Sequence, residues 1–204
     1  PLTALSLTNT GSGSNGVSSS TGTLGITNTT ATSLDLTLNG GGQGSIGTIT
    51  APTYTTVKVH TTGSDVTTSI VNSTTTSLTV DGTKKFTLSG STSTLSLTGL
   101  QTVTVSGGAS FTAVSRIDRG LSLASTLTDV NASGTSGSVS VAIDPTKTTY
   151  EGGSGSDNVI IAVVPTKAIS GGAGTDTLTL NAAGGGSFGT PSTNSNISGF
   201  ETLA

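Results

Sequence analysis

Residues 152–180 read GGSGSDNVIIAVVPTKAISGGAGTDTLTL. The hexapeptide GGSGSD at 152–157 returns nineteen residues later as GGAGTD at 171–176, and each copy runs straight into a short apolar stretch. A turn followed by a strand, repeating at about twenty residues, is the pattern of one coil in a β-solenoid. Such a coil buries its apolar face only against its neighbours, so repetition does the work of a thick core.

The rest of the chain carries the same rhythm in looser form. Apolar residues recur at period 2 in short runs separated by Gly, Ser, Thr and Asn, which predicts strands and no helix. The runs are 4–7, 33–38, 56–59, 77–80, 85–88, 94–97, 102–105, 120–123, 138–143, 158–164 and 177–180. Leu34, Val57, Leu78 and Val103 follow one another at 23, 21 and 25 residues, with further strands expected around Ile46, Ile70 and Phe86. Threonine suits this setting, because its β-branch favours extended backbone while its hydroxyl faces water. The expected fold is all-β, a parallel β-solenoid of the β-helix or β-roll kind, right-handed by the general rule for parallel crossovers. The rival is a β-sandwich, which also has many short strands. A sandwich core usually holds large aromatics, whereas this chain has no Trp, two Tyr and four Phe. Residues 1–143 read as Thr/Ser-rich coils, and 144–204 as glycine–aspartate coils running into a further coil.

Composition removes several function classes. Thr and Ser supply more than a third of the 204 residues, and charged residues only 8%. The net charge is −3 and the seven Lys and Arg are scattered, so no basic patch exists for nucleic acid. No run approaches the apolar length that inserts into a membrane. Cysteine is absent, so stability must come from repetition, metal or assembly rather than disulfides. The ends, Pro1 and FETLA, suggest a piece of a longer solenoid. An echo between LTGLQTVTV at 97–105 and ISGFETLA at 197–204 points the same way.

The two hexapeptides carry the clearest chemistry. Gly-Gly pairs reach backbone conformations closed to other residues, and a tight turn can aim its carbonyls at a hard cation. Calcium takes six to eight oxygens, carboxylates among them. Asp157 and Asp176 are the candidate carboxylates, and Gly153, Gly155, Gly172 and Gly174 mark the carbonyl positions. Val159 and Leu178, two places beyond each Asp, are expected to point inward. At nineteen residues per coil the loops stack on one edge, so that one Ca2+ could bridge them. Asp144 and Glu151 lie near enough in sequence to add oxygens.

GGSGSDNVI and GGAGTDTLT resemble the nonapeptide GGxGxDxUx of RTX proteins, a calcium-binding β-helix repeat. The resemblance implies a secreted protein, exported by a type I route and folding as a β-roll on meeting extracellular calcium. More loosely, the cysteine-free Thr/Ser/Gly strands and the ISGFETL phrase are similar to the calcium-dependent S-layer proteins of Gram-negative bacteria. That similarity implies a structural, non-enzymatic segment of a crystalline surface array. Its partners would be other copies of itself, with surface polysaccharide attached through another region. Large RTX adhesins share the same vocabulary and remain an alternative. Residues 1–143 contain no complete nonapeptide, which sets them apart from that pattern.

An enzyme reading finds little support. His60 is the only histidine, and with no cysteine the ligands for zinc or copper are missing. A polysaccharide-acting β-helix would need paired carboxylates with aromatic platforms. Asp118 in SRIDRG, with Asp129 and Asp144 further on, lacks the platforms and reads as a salt-bridged bend or a subunit contact. Three sequons, at Asn28, Asn72 and Asn131, are expected by chance in a chain so rich in Thr and Ser. The threonine rows resemble those of ice-binding proteins but are irregular in spacing.

Overall fold

A computed structural model describes residues 2–8, 20–26, 30–40, 44–89, 97–113, 126–181 and 194–204. Every strand pairing among them is parallel, and the strands divide between two nine-stranded sheets. Numbered in chain order, sheet A holds β1 (Ala4–Thr8), β3 (Ser33–Asn39), β5 (Thr56–Thr62), β7 (Ser77–Gly82) and β9 (Thr102–Gly107). It continues with β11 (Asp129–Thr135), β13 (Thr149–Glu151), β15 (Ile169–Ser170) and β17 (Ile197–Ser198). Sheet B holds β2 (Ser20–Gly25), β4 (Gly44–Thr50), β6 (Val66–Val71), β8 (Phe86–Leu88) and β10 (Phe111–Ala113). β12 (Val139–Ala142), β14 (Asn158–Ile161), β16 (Thr177–Leu180) and β18 (Thr202–Leu203) complete it. Each coil gives one strand to each sheet in turn. The molecule is a β-solenoid, and the antiparallel pairing of a sandwich is absent from the described residues.

The register explains why the alternation works. Leu34, Val57, Leu78, Val103, Val130, Tyr150 and Ile169 stack directly on one another through sheet A, all buried. The uneven spacing read from the first four is therefore one column, with the extra residues absorbed in the turns. Facing it in sheet B, Val141, Val159, Leu178 and Leu203 form a second column. Period-2 side chains place the intervening Thr and Ser on the outer faces. Both sheets run unbroken across residues 143 and 144, through the pairings β11–β13 and β12–β14.

The runs at 94–97 and 120–123 fall wholly or almost wholly outside the described residues, as does Asp118. The echo joins unlike places. Its Thr-apolar pair is Thr102–Val103 on sheet A in the first copy and Thr202–Leu203 on sheet B in the second. Among the described residues no helix is long and apolar enough to cross a membrane.

Turns from sheet B to sheet A are tied by a short polar device. Asn72, Asp144 and Asn194 each accept, on the side-chain Oδ1, the backbone N–H two residues ahead, at 2.7, 3.0 and 2.9 Å. Such Asx turns give the backbone a partner where the ladder stops.

Two of the four phenylalanines, Phe86 and Phe111, are fully buried register partners whose ring centroids lie 6.0 Å apart at 16°. Replacing Phe111 with Ala leaves a cavity that neighbouring coils, held by their ladders, cannot collapse. Phe111→Ala is expected to cost about 3–5 kcal/mol in urea unfolding. A loss below about 1 kcal/mol would mean that the column is not packed as described.

Candidate metal centre

The two hexapeptides form the turns from sheet A to sheet B, between β13 and β14 and between β15 and β16. Asn158 pairs with Thr177, so Asp157 and Asp176 stand in adjacent coils at one register position. The expected stacking of the loops on a single edge holds, and Val159 and Leu178 are buried as expected.

The carboxylates, however, turn inward. One residue back from the pair Ser140–Asn158, Asp157 lies over Val139, and below Val139 come Phe111, Phe86 and Val66. The column is apolar for four coils and then acidic, with Asp157 2% and Asp176 0% exposed. Gly152 and Gly171 make the room. A Cβ on Gly152 would strike the Gly171 carbonyl and come within 2.7 Å of Asp157 Oδ2. One on Gly171 would strike the Gly199 carbonyl and lie 2.7 Å from Asp176 Oδ2.

A ladder of carboxylates and amides climbs this column. Val139 N–H donates to Asp157 Oδ1 at 2.7 Å, Asp157 N–H to Asp176 Oδ1 at 2.7 Å, and Asp176 N–H to Glu201 Oε2 at 2.7 Å. Asp157 Oδ2 also accepts the Tyr150 hydroxyl at 2.8 Å and the Gly153 N–H at 3.4 Å. Asp157 is thus satisfied within the protein. Asp176 is not: its Oδ2 is buried and has no hydrogen-bond partner.

Burial pushes the Asp157 carboxyl above its usual range, with the Asp176 charge adding to the effect against its three donors. Asp176 is pushed up by burial first and by the Glu201 charge, against the Asp157 N–H. The Tyr150 hydroxyl is pushed up by burial and then by the Asp157 charge, so it remains a donor.

The glycines of the two turns differ in role. Gly172 and Gly174 have φ of +95° and +134°, where side chains are strained, whereas Gly153 and Gly155 are not left-handed. Gly153 is instead needed for space, since a Cβ there would lie 2.6 Å from the Ala132 carbonyl and closer still to that of Thr135. Its own carbonyl accepts the Ala173 N–H at 2.8 Å and keeps one lone pair. The carbonyls of Gly152, Gly153 and Gly155 all face the Cα positions of the next turn.

This donor set suits a hard cation, since it is all oxygen and includes one buried carboxylate oxygen without a partner. Among the described residues no three His, Cys, Asp or Glu side chains gather into a metal cage. A cation here would draw on backbone carbonyls as well. Asp144 lies on the opposite edge, held by Thr146 and Lys147, and Glu151 is exposed at the end of β13, so Asp144 does not join the loops. His60 lies on the outer face of sheet A, its Nδ1 2.5 Å from Asp81 Oδ1, with Lys58 Nζ 3.0 Å from Asp81 Oδ2. Sequence reasoning missed Tyr150 and Glu201. Glu201 is one coil beyond Asp176, but that coil takes 25 residues, and the GGxGxD frame is gone.

Comparison with protein-family models, with curated proteins and with solved structures finds no match.

Asp157 and Asp176 hold their protons more tightly folded than unfolded. Their contribution to stability is complete below the ordinary carboxyl value of 3.8 and is lost as pH rises through the raised folded values. Asp81 and Asp144 are held low despite partial burial, by His60 and Lys58 and by Thr146 and Lys147 respectively, and act in the opposite sense. In chelator, urea midpoints measured from about pH 4 to about pH 7 should therefore fall more steeply for the native chain than for Asp157→Asn/Asp176→Asn. Equal slopes would show that neither carboxyl is perturbed.

Proposed function

We propose that this chain is a structural segment of an extracellular, calcium-stabilised surface array of the S-layer kind, and that it is not an enzyme. The observation that carries the calcium part is the inward acid column, with Asp176 Oδ2 buried and unpartnered at the space left by Gly171, beside the Gly199 carbonyl. A buried charge without a partner is costly, and proteins resolve that cost by pairing it or coordinating a metal. Asp176 would hold the ion, with the Gly199 carbonyl beside it. Bound there, calcium supplies positive charge that ties adjacent coils together. Asp157, already carrying three donors, would act mainly by orienting the turn through Tyr150 and Val139.

The array part is supported by the faces. Among the described residues no strand of sheet B contains an ionisable residue, whereas Asp35, Lys58, His60, Asp81, Asp129 and Glu151 all lie in strands of sheet A. An uncharged, hydroxyl-rich face can approach a second copy without desolvating charge, which interface cores generally avoid. Each coil stacks on its neighbours through the same parallel pairing, so further coils add without changing the architecture. An RTX adhesin would use the same solenoid as a stalk, and the two differ in whether copies associate side by side.

Calcium titration tests the reading. A ligand bound only by the folded chain and present at a hundred times its dissociation constant adds about 2.7 kcal/mol. Calcium should raise the urea midpoint accordingly at neutral pH, and Asp176→Asn should abolish the rise. Sedimentation of the same samples should show calcium-dependent association. An unchanged midpoint with calcium in excess would overturn the calcium role, and a monomer at all calcium concentrations would overturn the array.

A further inference from the structure

The three sequons look equivalent in sequence, but the structure separates two of them; Asn28 lies outside the described residues. At Asn72 and at Asn131 the hydroxyl two residues ahead donates to the amide oxygen, from Thr74 Oγ1 and Ser133 Oγ, both at 2.7 Å. The backbone N–H of the same residue adds a second bond, at 2.7 Å for Thr74 and 3.0 Å for Ser133. The two sites differ at the nitrogen. Asn72 is 2% exposed, and its Nδ2 donates to the Tyr54 carbonyl at 2.8 Å inside a turn. Asn131 is half-buried on the outer face of sheet A, and its Nδ2 has no partner among the described residues.

The backbone reinforces the distinction. Between Asn131 and Gly134 the pairing of β11 with β9 slips, three steps on β11 spanning two on β9. This β-bulge lifts Ala132 and Ser133 out of the regular ladder and bends the strand. Ser133 and Gly134 are exposed at the crest. The acceptor therefore sits on a protruding bend rather than in a flat sheet. Asp129, two residues earlier, faces the same side as Asn131 because side chains alternate along a strand. Its Oδ1 accepts the Thr149 hydroxyl at 2.5 Å, which fixes a carboxylate beside the acceptor. Neither of the other sequons has an acid at that place, where Ile26 and Ile70 stand.

We infer that Asn131 is an acceptor for N-linked glycan transfer, and that Asn72 is not. The co-reactant is a polyprenyl-pyrophosphate-linked oligosaccharide, brought by an oligosaccharyltransferase. Asn131 Nδ2 forms a bond to the anomeric carbon as the bond from that carbon to the pyrophosphate oxygen breaks. The lipid pyrophosphate departs with the electron pair, and the amide nitrogen gives up one proton to the transferase. Asn131 Oδ1 and its two donors are untouched. A cationic subsite on the transferase would find Asp129 beside the acceptor. The glycan would then stand on sheet A, leaving the uncharged face of sheet B clear. This inference does not depend on calcium. It requires only that the chain reach a compartment where such a transferase works.

The test is to incubate the folded chain with a purified single-subunit oligosaccharyltransferase and a lipid-linked oligosaccharide, reading intact mass and site by mass spectrometry. A peptide spanning 127–135 serves as the positive control. The expected result is one glycan per chain, located on Asn131. The adduct should vanish in Asn131→Gln and Ser133→Ala, survive in Ser133→Thr, and be unaffected by Asn72→Gln, with circular dichroism confirming that each variant folds. A peptide that takes the glycan while the folded chain does not would overturn the proposal. So would modification of Asn72 in the folded chain.

Discussion

Each residue in a strand of this protein stacks on its own equivalent one coil away. That parallel, in-register stacking is the constraint from which the rest follows. A side chain must suit not only its sheet and face but also the residue above and the residue below. Small β-branched and aliphatic side chains meet that demand at most levels, as the column from Leu34 to Val130 shows. Large aromatics fit either as register neighbours, as Phe86 and Phe111 do, or singly between aliphatic residues, as Tyr150 does between Val130 and Ile169. Differences in coil length are tolerated because the turns absorb them; successive partners in sheet A lie as close as 19 residues, Tyr150 to Ile169, or as far as 31, Ala4 to Asp35.

Column logic also recasts the glycine–aspartate turns. In an isolated loop, Asp157 and Asp176 would be free to point outward. Here their position continues a line already occupied by Val66, Phe86, Phe111 and Val139. The backbone N–H of the coil before holds each carboxylate in, and the missing side chains of Gly152 and Gly171 give it space. The first glycine of each turn, Gly152 and Gly171, not those read as carbonyl positions, is thus what lets an acid occupy a core column.

How much of this is legible in the sequence depends on the scale of the feature. Coil spacing, strand type and the stacking of the two loops follow from local patterning, because period-2 alternation and the 19-residue offset survive in the letters. β11 escapes such reading, since in DVNASGT a bulge breaks the alternation and only Val130 and Ala132 keep the inward pattern. The two- and three-residue strands β13, β15, β17 and β18 are too short to show a period at all. The site is half legible. Asp157 and Asp176 stand out by motif, whereas Tyr150 and Glu201 reach it only through register, which requires knowing how long each intervening coil is. Asn72 and Asn131 make the same point, for identical motifs end in a buried turn and on an exposed crest.

The register has one more consequence. Every strand finds its partner one coil away in the chain, and none pairs with a distant segment. Folding can then proceed as a zipper, each finished coil offering a ready template to the next, with the loop-closure cost paid in equal small instalments. Disassembly should run the same way, by fraying from an open rung rather than by a single global collapse. Where the acid column interrupts the apolar one, between Val139 and Asp157, that zipper crosses a seam. Pulling the molecule along its axis would report whether the seam is where the stack parts first.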